Sequence, residues 1–143
     1  MKKILLGLVV ALLLLFAGYY SYLRFFINPQ VTVELKRDDG GPRAGRVMLL
    51  QLPDGDEYPV NYLREGGIVF VGVDGLWWRQ FRDGGQAVTL YIRGQRLTGQ
   101  ALAILDDAAY TEAVFARLRP TAPTWLPGRM RGVLLQITLD SEE

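Results

Sequence analysis

The chain has 143 residues, with 16 basic and 15 acidic side chains and neither histidine nor cysteine. The lack of cysteine excludes disulfides and thiolate sites, and the lack of histidine excludes imidazole-based catalysis and the usual zinc sites. A charge so near zero argues against nucleic-acid binding, because that needs an excess of cations to displace phosphate counterions.

The first predicted element is a membrane-spanning helix. Residues 4–23 form an uncharged run that follows a short basic N-terminus. A helix needs roughly 20 apolar residues to cross a hydrocarbon core about 30 Å thick, and this run has that length. Tyrosines cluster at its far end and Arg24 follows, as is typical of a membrane–water interface. We therefore predict a single-span anchor over residues 1–26 and one folded domain over residues 27–143.

A cleaved secretory signal is the alternative reading of the same run. Cleavage favours small residues at both A-x-A positions, and neither Leu15 with Ala17 nor Tyr19 with Ser21 meets that requirement. The short basic N-terminus slightly favours an exported domain, which in a bacterium lies on the periplasmic side of the inner membrane.

Alternating apolar residues and turn residues predict about seven strands in the domain. In chain order they cover residues 31–35, 46–52, 57–63, 68–73, 87–93, 96–105 and 132–139. Asp54-Gly55 and Gly94-Gln95 are the predicted hairpin turns. Successive hairpins favour antiparallel pairing, and so many strands in so short a chain indicate a small β-barrel.

Two helices are predicted as additions to this mainly β fold. A short helix over residues 75–82 has Asp74 as its predicted N-cap, and a longer one over residues 108–118 follows an aspartate cap. Trp77 and Trp78 are neighbours on the short helix, so their side chains diverge by about 100°. Either one of them packs inside the barrel and the other borders a groove, or both close the barrel mouth.

Trp125 lies in a proline-rich loop over residues 120–127. We predict that it packs against the longer helix. Contact with the bilayer surface is the alternative, since tryptophan is enriched at membrane interfaces.

The segment from the tryptophan pair onward resembles the deazaflavin-dependent nitroreductase family. Members typically have a W-[WY]-x-N-L-[RK] helix start, then a Gly-Arg hairpin and a G-x-A sequence. The matching residues here are Trp77, Trp78, Arg82, Gly94, Arg96, Gly99 and Ala101. The resemblance implies a split β-barrel related to the pyridoxamine-phosphate-oxidase and flavin-reductase barrels, with FMN or deazaflavin as cofactor and commonly a homodimer.

The same resemblance implies a set of cofactor-binding residues. They are Arg43, Arg46, Tyr62, Trp78, Arg79, Gln80 and Arg82. The arginines would hold anionic parts of the cofactor, Tyr62 and Trp78 would border its ring, and Gln80 stands where the family usually has asparagine. No metal site is predicted, and no catalytic side chain is assigned.

The family's phosphate-binding loop, G-R-x-S-G-x-x-R, is altered in this chain. Residues 38–46 read Asp-Asp-Gly-Gly-Pro-Arg-Ala-Gly-Arg, with two acids and no serine. Two functions therefore stay open. The first is a membrane-anchored oxidoreductase acting on a quinone-like or nitro-aromatic acceptor, in which the cofactor performs hydride transfer. The second is a non-catalytic, membrane-tethered binding or scaffold module that has lost the cofactor.

Overall fold

The structure is a computed structural model that describes residues 2–37, 43–123, 125 and 132–140. This part of the chain contains a long N-terminal helix, a closed antiparallel β-barrel and two further helices. The mainly β architecture predicted from the hydrophobic pattern is therefore confirmed.

The N-terminal helix is continuous from Lys2 to Leu35. It comprises α1 (Lys2–Tyr22), a π-helical segment (Leu23–Ile27) and α2 (Asn28–Leu35). None of the residues of α1 is buried. By length and composition this helix could cross a membrane, and a signal sequence near the N-terminus has the same two properties.

The predicted strand over residues 31–35 is wrong, because these residues belong to α2. Val31, Val33 and Leu35 fit the period of a strand, but Val31 and Leu35 also share one face of a helix at i and i+4. The structure buries Leu35, whereas Val33 is 67% exposed. Extending an existing helix adds one hydrogen bond for each residue fixed, and the preceding residues are already helical.

The described residues form six strands instead of the seven predicted. They are β1 (Val47–Gln51), β2 (Glu57–Glu65), β3 (Ile68–Val73), β4 (Gln86–Ile92), β5 (Gln95–Ile104) and β6 (Val133–Leu139). Their order around the barrel is β1-β2-β3-β6-β5-β4, and β4 pairs with β1 to close it. Every neighbouring pair is antiparallel.

The hairpin between β4 and β5 is displaced by one residue from its predicted position. Arg93 and Gly94 form the two-residue turn, with φ angles of 50° and 77°. Positive φ at both central residues is the requirement of a type I′ turn, which matches the twist of the flanking strands.

The barrel has two ends, which we name after their turns. The Arg93 end carries the β4–β5 turn and the β2–β3 turn at Gly66, and β1 begins there. The Asp54 end carries the β1–β2 turn and the 3₁₀ helix Leu76–Phe81, which joins β3 to β4.

Alternate residues of each strand point inward and form one core. Its fully buried members include Met48, Leu50, Val69, Val71, Phe81, Leu90, Ala101, Leu135 and Ile137. A second cluster lies on the outer face of the barrel under α3 (Ala108–Leu118), where Val114 and Phe115 pack against Phe70 and Leu134.

The two predicted helix caps have different outcomes. Asp107 accepts a hydrogen bond from the Tyr110 backbone N–H at 2.9 Å, which confirms the cap of α3. Asp74 does not cap the 3₁₀ helix, whose N-terminus has no side-chain cap bond. Its carboxylate instead pairs with Arg119, with contacts of 2.9 and 3.0 Å.

Helix α2 packs on the outer face of β1 and β2. Leu35 is 1% exposed. Met48 and Leu50 point into the barrel core, so Leu49 between them points outward, yet it is fully buried. Lys36 Nζ lies 2.6 Å from Glu57 Oε1 and 5.3 Å from the centroid of the Tyr91 ring. The end of the N-terminal helix is thus part of the barrel's packing.

We expect Leu35→Ala to lower the free energy of unfolding of the detergent-solubilised full chain by about 3 kcal/mol, because it opens a cavity under α2. The matched control is Val33→Ala on the exposed side of the same helix, for which the expected change is within about 0.5 kcal/mol. Chemical denaturation followed by tryptophan fluorescence measures both. Equal effects of the two substitutions would contradict the docking of α2.

Candidate ligand-binding groove

A groove of about 740 Å³ opens at the Arg93 end of the barrel. This volume lies in the range of about 300–1,000 Å³ that is typical of small-molecule sites. Its lining comes from the turn before β1, from the end of β2 and from the β4–β5 hairpin. The lining residues are Gly45, Tyr62, Leu63, Arg64, Gly66, Ile92, Arg93 and Gln95.

The chemistry of this lining favours an anion. Arg64 and Arg93 are its charged residues, and none of the described lining residues is an acid. The Arg64 Nε donates to the Gly66 carbonyl at 3.3 Å, which leaves its terminal N–H groups available for a ligand. Gly45 and Gly66 have no atom within 4 Å of the position that a Cβ would take. The backbone is therefore open to close approach at both glycines.

Tyr62 gives the groove a fixed aromatic wall. Its ring is half-buried, and its hydroxyl donates to the Ala44 carbonyl at 2.9 Å. Its backbone N–H also donates to the Arg46 carbonyl at 3.1 Å. These two bonds tie β2 to the turn that precedes β1.

Arg93, which lines the groove, has a strained backbone with a φ of 50°. Among the described residues it is the one non-glycine residue with a positive φ. A side chain in this conformation costs roughly 1–2 kcal/mol, and asparagine, aspartate or glycine is the usual choice in a type I′ turn. Backbone strain of this kind is concentrated at functional sites.

Aromatic side chains close the opposite, Asp54 end of the barrel. Trp77 stacks on Tyr58 with ring centroids 4.8 Å apart and contacts Phe81 edge-on at 6.4 Å. The Trp78 ring carries the Arg82 guanidinium at 5.2 Å. Both tryptophans are half-buried and pack against the core. The structure therefore agrees with the alternative in which both close the barrel mouth.

The structure does not bring the predicted cofactor-binding residues together. Arg43, Arg46 and Tyr62 lie at the Arg93 end, whereas Trp78, Arg79, Gln80 and Arg82 lie at the Asp54 end. The strands that separate the two groups have 5–10 residues, which corresponds to roughly 15–30 Å. Of the seven, Tyr62 lines the groove.

The remaining predicted residues have contacts of their own. Arg43 pairs with Glu34 of α2 at 2.7 Å, and the Gln80 side chain donates to the Trp77 carbonyl at 3.1 Å. Arg46 and Arg79 are exposed. No group of three or more acidic side chains that could hold a metal ion occurs in the described residues.

Sequence reasoning missed Arg64 and Arg93. The alternation along β2 places Arg64 on the same side of the strand as Tyr62. Arg93 adjoins the glycine of a predicted hairpin, so the correct turn register would have placed it at the end of the barrel.

Comparisons with known proteins give similarity in fold at low identity. No family model and no curated protein matches the chain. A Listeria innocua protein provisionally assigned as a pyridoxamine 5′-phosphate oxidase is 14% identical, with a TM-score of 0.49 over 67% of this chain and 85% of its own. An F420 reductase is 12% identical, with a TM-score of 0.44 over 76% of this chain and 92% of its own.

A third similar structure is a protein of Bacteroides thetaiotaomicron VPI-5482 provisionally assigned to 5-nitroimidazole antibiotic resistance. It is 12% identical, with a TM-score of 0.42 over 79% of this chain and 80% of its own. The chain is similar to these split-barrel proteins in shape. At such scores none of them carries an argument about its ligand or reaction.

Tyr58, which stacks on Trp77 at the Asp54 end, has a phenol whose ionisation is shifted by its surroundings. Its burial raises the pKa of the phenol above the ordinary value of 10.0, and the carboxylates of Asp56 and Asp54 add to this rise. The Arg24 guanidinium opposes it.

We expect Arg24→Gln to raise the pKa of Tyr58 further, because the neighbouring cation that stabilises the phenolate is removed. Spectroscopic titration of the phenolate, with Tyr58→Phe subtracted, isolates this tyrosine. Arg96→Gln, at the other end of the barrel, is the control. Since the folded-state pKa is raised, the stabilising effect of neutral Tyr58 is present below pH 10 and is lost as the pH rises through the folded-state value. An unchanged titration in Arg24→Gln would show that the Arg24 charge does not act on Tyr58.

Proposed function

We propose that this chain is a membrane-anchored split-barrel protein that binds an anionic, ring-bearing small molecule in the groove at the Arg93 end. FMN or deazaflavin is the first candidate ligand. The observation that carries the proposal is a groove of ligand size in which Arg64 and Arg93 stand beside open glycine backbone.

The continuity of the N-terminal helix supports the anchor. The apolar run of α1 passes through the π-helical segment into α2 without a break, and α2 ends at the buried Leu35. A retained span explains both the unburied surface of α1 and the absence of paired small residues at its end. In this reading one continuous helix contains the anchor and ends packed against the barrel.

The groove fits the parts of such a cofactor. Arginine forms bidentate hydrogen bonds with phosphate and carboxylate, so Arg64 and Arg93 would hold the anionic end. Tyr62, Leu63 and Ile92 would border the ring. When bound, a flavin or deazaflavin supplies hydride transfer. Because the chain has no histidine or cysteine, the side chains contribute binding and orientation, and the acceptor would be a quinone-like or nitro-aromatic molecule.

A non-catalytic binding module is the second candidate. The division of the predicted cofactor-binding residues between the two ends favours it, since only part of the set implied by the family resemblance can reach one ligand. The same groove would then hold an anionic ligand without redox chemistry.

We expect the full chain in detergent to quench the fluorescence of FMN or deazaflavin on titration, and Arg64→Gln to weaken binding about tenfold or more by removing charge-assisted hydrogen bonds. The matched control is Arg96→Gln, an exposed arginine outside the groove. Absence of quenching with either ligand would contradict the cofactor and leave the binding module.

We expect Arg93→Asn to raise the free energy of unfolding by about 1 kcal/mol, because asparagine tolerates the positive φ of the turn better. The same substitution should weaken anion binding, because it removes a cation from the groove. Chemical denaturation and ligand titration on one preparation measure both effects. A variant that binds as tightly as the parent chain would show that Arg93 is not a ligand-binding residue.

A further inference from the structure

Strand β1 begins later than its two neighbours, which leaves a gap in the barrel wall at the Arg93 end. Its pairing with β2 begins at Val47 opposite Asn61, and its pairing with β4 begins at Leu49 opposite Tyr91. Strand β2 continues through residues 62–65, and among the described residues these pair with β3 alone. The last turn-ward part of β2 therefore has an open edge on the side where β1 would continue.

The chain that precedes β1 does not fill this gap as a strand. Residues 43–46 form a tight turn, in which the N–H groups of Arg46 and Val47 both donate to the Arg43 carbonyl at 2.9 Å. Neighbouring strands lie about 4.8 Å apart, so β2 and β4, which flank β1, are about 10 Å apart. The gap that continues β1 is thus as wide as one strand, and the lining of the groove comes from both of its sides.

The open edge of β2 presents backbone hydrogen-bonding groups to the groove. The Tyr62 N–H points toward β1, since it donates to the Arg46 carbonyl at 3.1 Å. Peptide groups of an antiparallel strand point alternately to its two neighbours, so the N–H and C=O of Arg64 point to this same side. Among the described residues no strand lies there to pair with them. An unpaired strand edge is a template for pairing with another chain.

The charges around the gap favour an acidic occupant. Arg64 on β2 and Arg93 on the β4–β5 turn stand on its two sides. Glu65, the neighbouring acid on β2, projects from the opposite face of the strand and pairs with Arg117 of α3 at 2.9 Å. Its charge is therefore compensated outside the groove. A segment in the gap has backbone partners on one side and two cations within reach of its side chains.

We propose that the groove binds an extended acidic peptide of a partner protein, which adds a strand beside residues 62–65 of β2. This inference rests on the proposed anion-binding groove and names its occupant as a peptide. In such strand addition, main-chain hydrogen bonds give affinity and side-chain contacts give specificity. Four residues of β2 span about 13 Å, so the edge holds about four residues of the peptide. Carboxylates at alternate positions lie on the face of the added strand that Arg64 shares.

A short fluorescein-labelled peptide of alternating glutamate and valine is the probe, and its anisotropy is measured with the full chain in detergent. The same peptide with glutamine in place of glutamate tests the charge. Two N-methylated forms test the backbone pairing, because they keep the charge and remove N–H donors. Each is methylated at every second peptide bond, in one of the two alternating sets. FMN and deazaflavin are titrated in parallel.

The proposal predicts saturable binding of the parent peptide and binding weaker by about tenfold or more for the glutamine peptide. Arg64→Gln should weaken binding of the parent peptide by a similar factor, since it removes a charge-assisted contact, and Arg96→Gln should leave it unchanged. One N-methylated form should bind at least about tenfold more weakly than the other, because alternate peptide groups of a paired strand face β2.

Absence of binding by the parent peptide, equal binding of the two N-methylated forms, or unchanged binding in Arg64→Gln overturns the peptide proposal. If FMN or deazaflavin still binds in that case, the proposed function stands without the peptide. If neither the peptide nor either cofactor binds, both proposals are overturned.

Discussion

The burial of Leu35 against the outer face of β1 is the contact on which the architecture depends. Removing a leucine side chain from water stabilises a fold by about 1.5–3 kcal/mol, and Leu49 on the outer face of β1 is also fully buried. The two ion pairs at the same junction have partly exposed partners, and such pairs contribute only about 0–1 kcal/mol each. Apolar contact therefore supplies most of the junction's stability, and the ion pairs restrict the orientation of α2 on the barrel.

Local patterns predicted the barrel better than its surroundings. The six strands follow from short alternating or wholly apolar runs between turn residues, and Asp107 caps α3 as its position before the helix predicted. The error over residues 31–35 has a physical cause. Their apolar spacing fits both a strand and one face of a helix, and because the preceding residues are helical, the helix continues through them. Asp74 was assigned as a cap by a local rule. Its carboxylate pairs instead with Arg119, 45 residues away, and no local pattern records such a contact.

The groove was harder to predict than the fold because it is assembled from separate segments. Gly45, Arg64 and Arg93 come from three parts of the chain that meet only when β4 closes against β1. The sequence analysis included Tyr62 in the predicted site. It grouped that residue with side chains of the 3₁₀ helix, which lies at the opposite end of the barrel. The resemblance to split-barrel proteins indicated the shape of the domain. The end of the barrel at which the groove opens follows from the topology.

The central claim is that the N-terminal helix is docked on the barrel through α2. A distance measurement by electron–electron double resonance tests it most directly, with nitroxides at Val33→Cys on α2 and Arg96→Cys on β5 in lipid nanodiscs. Both side chains are exposed, so the labels leave the packing intact. The account predicts one narrow distance distribution that broadens when Leu35 is replaced by alanine. A broad distribution in the parent protein would show that the barrel moves freely on its helix, and would contradict the account.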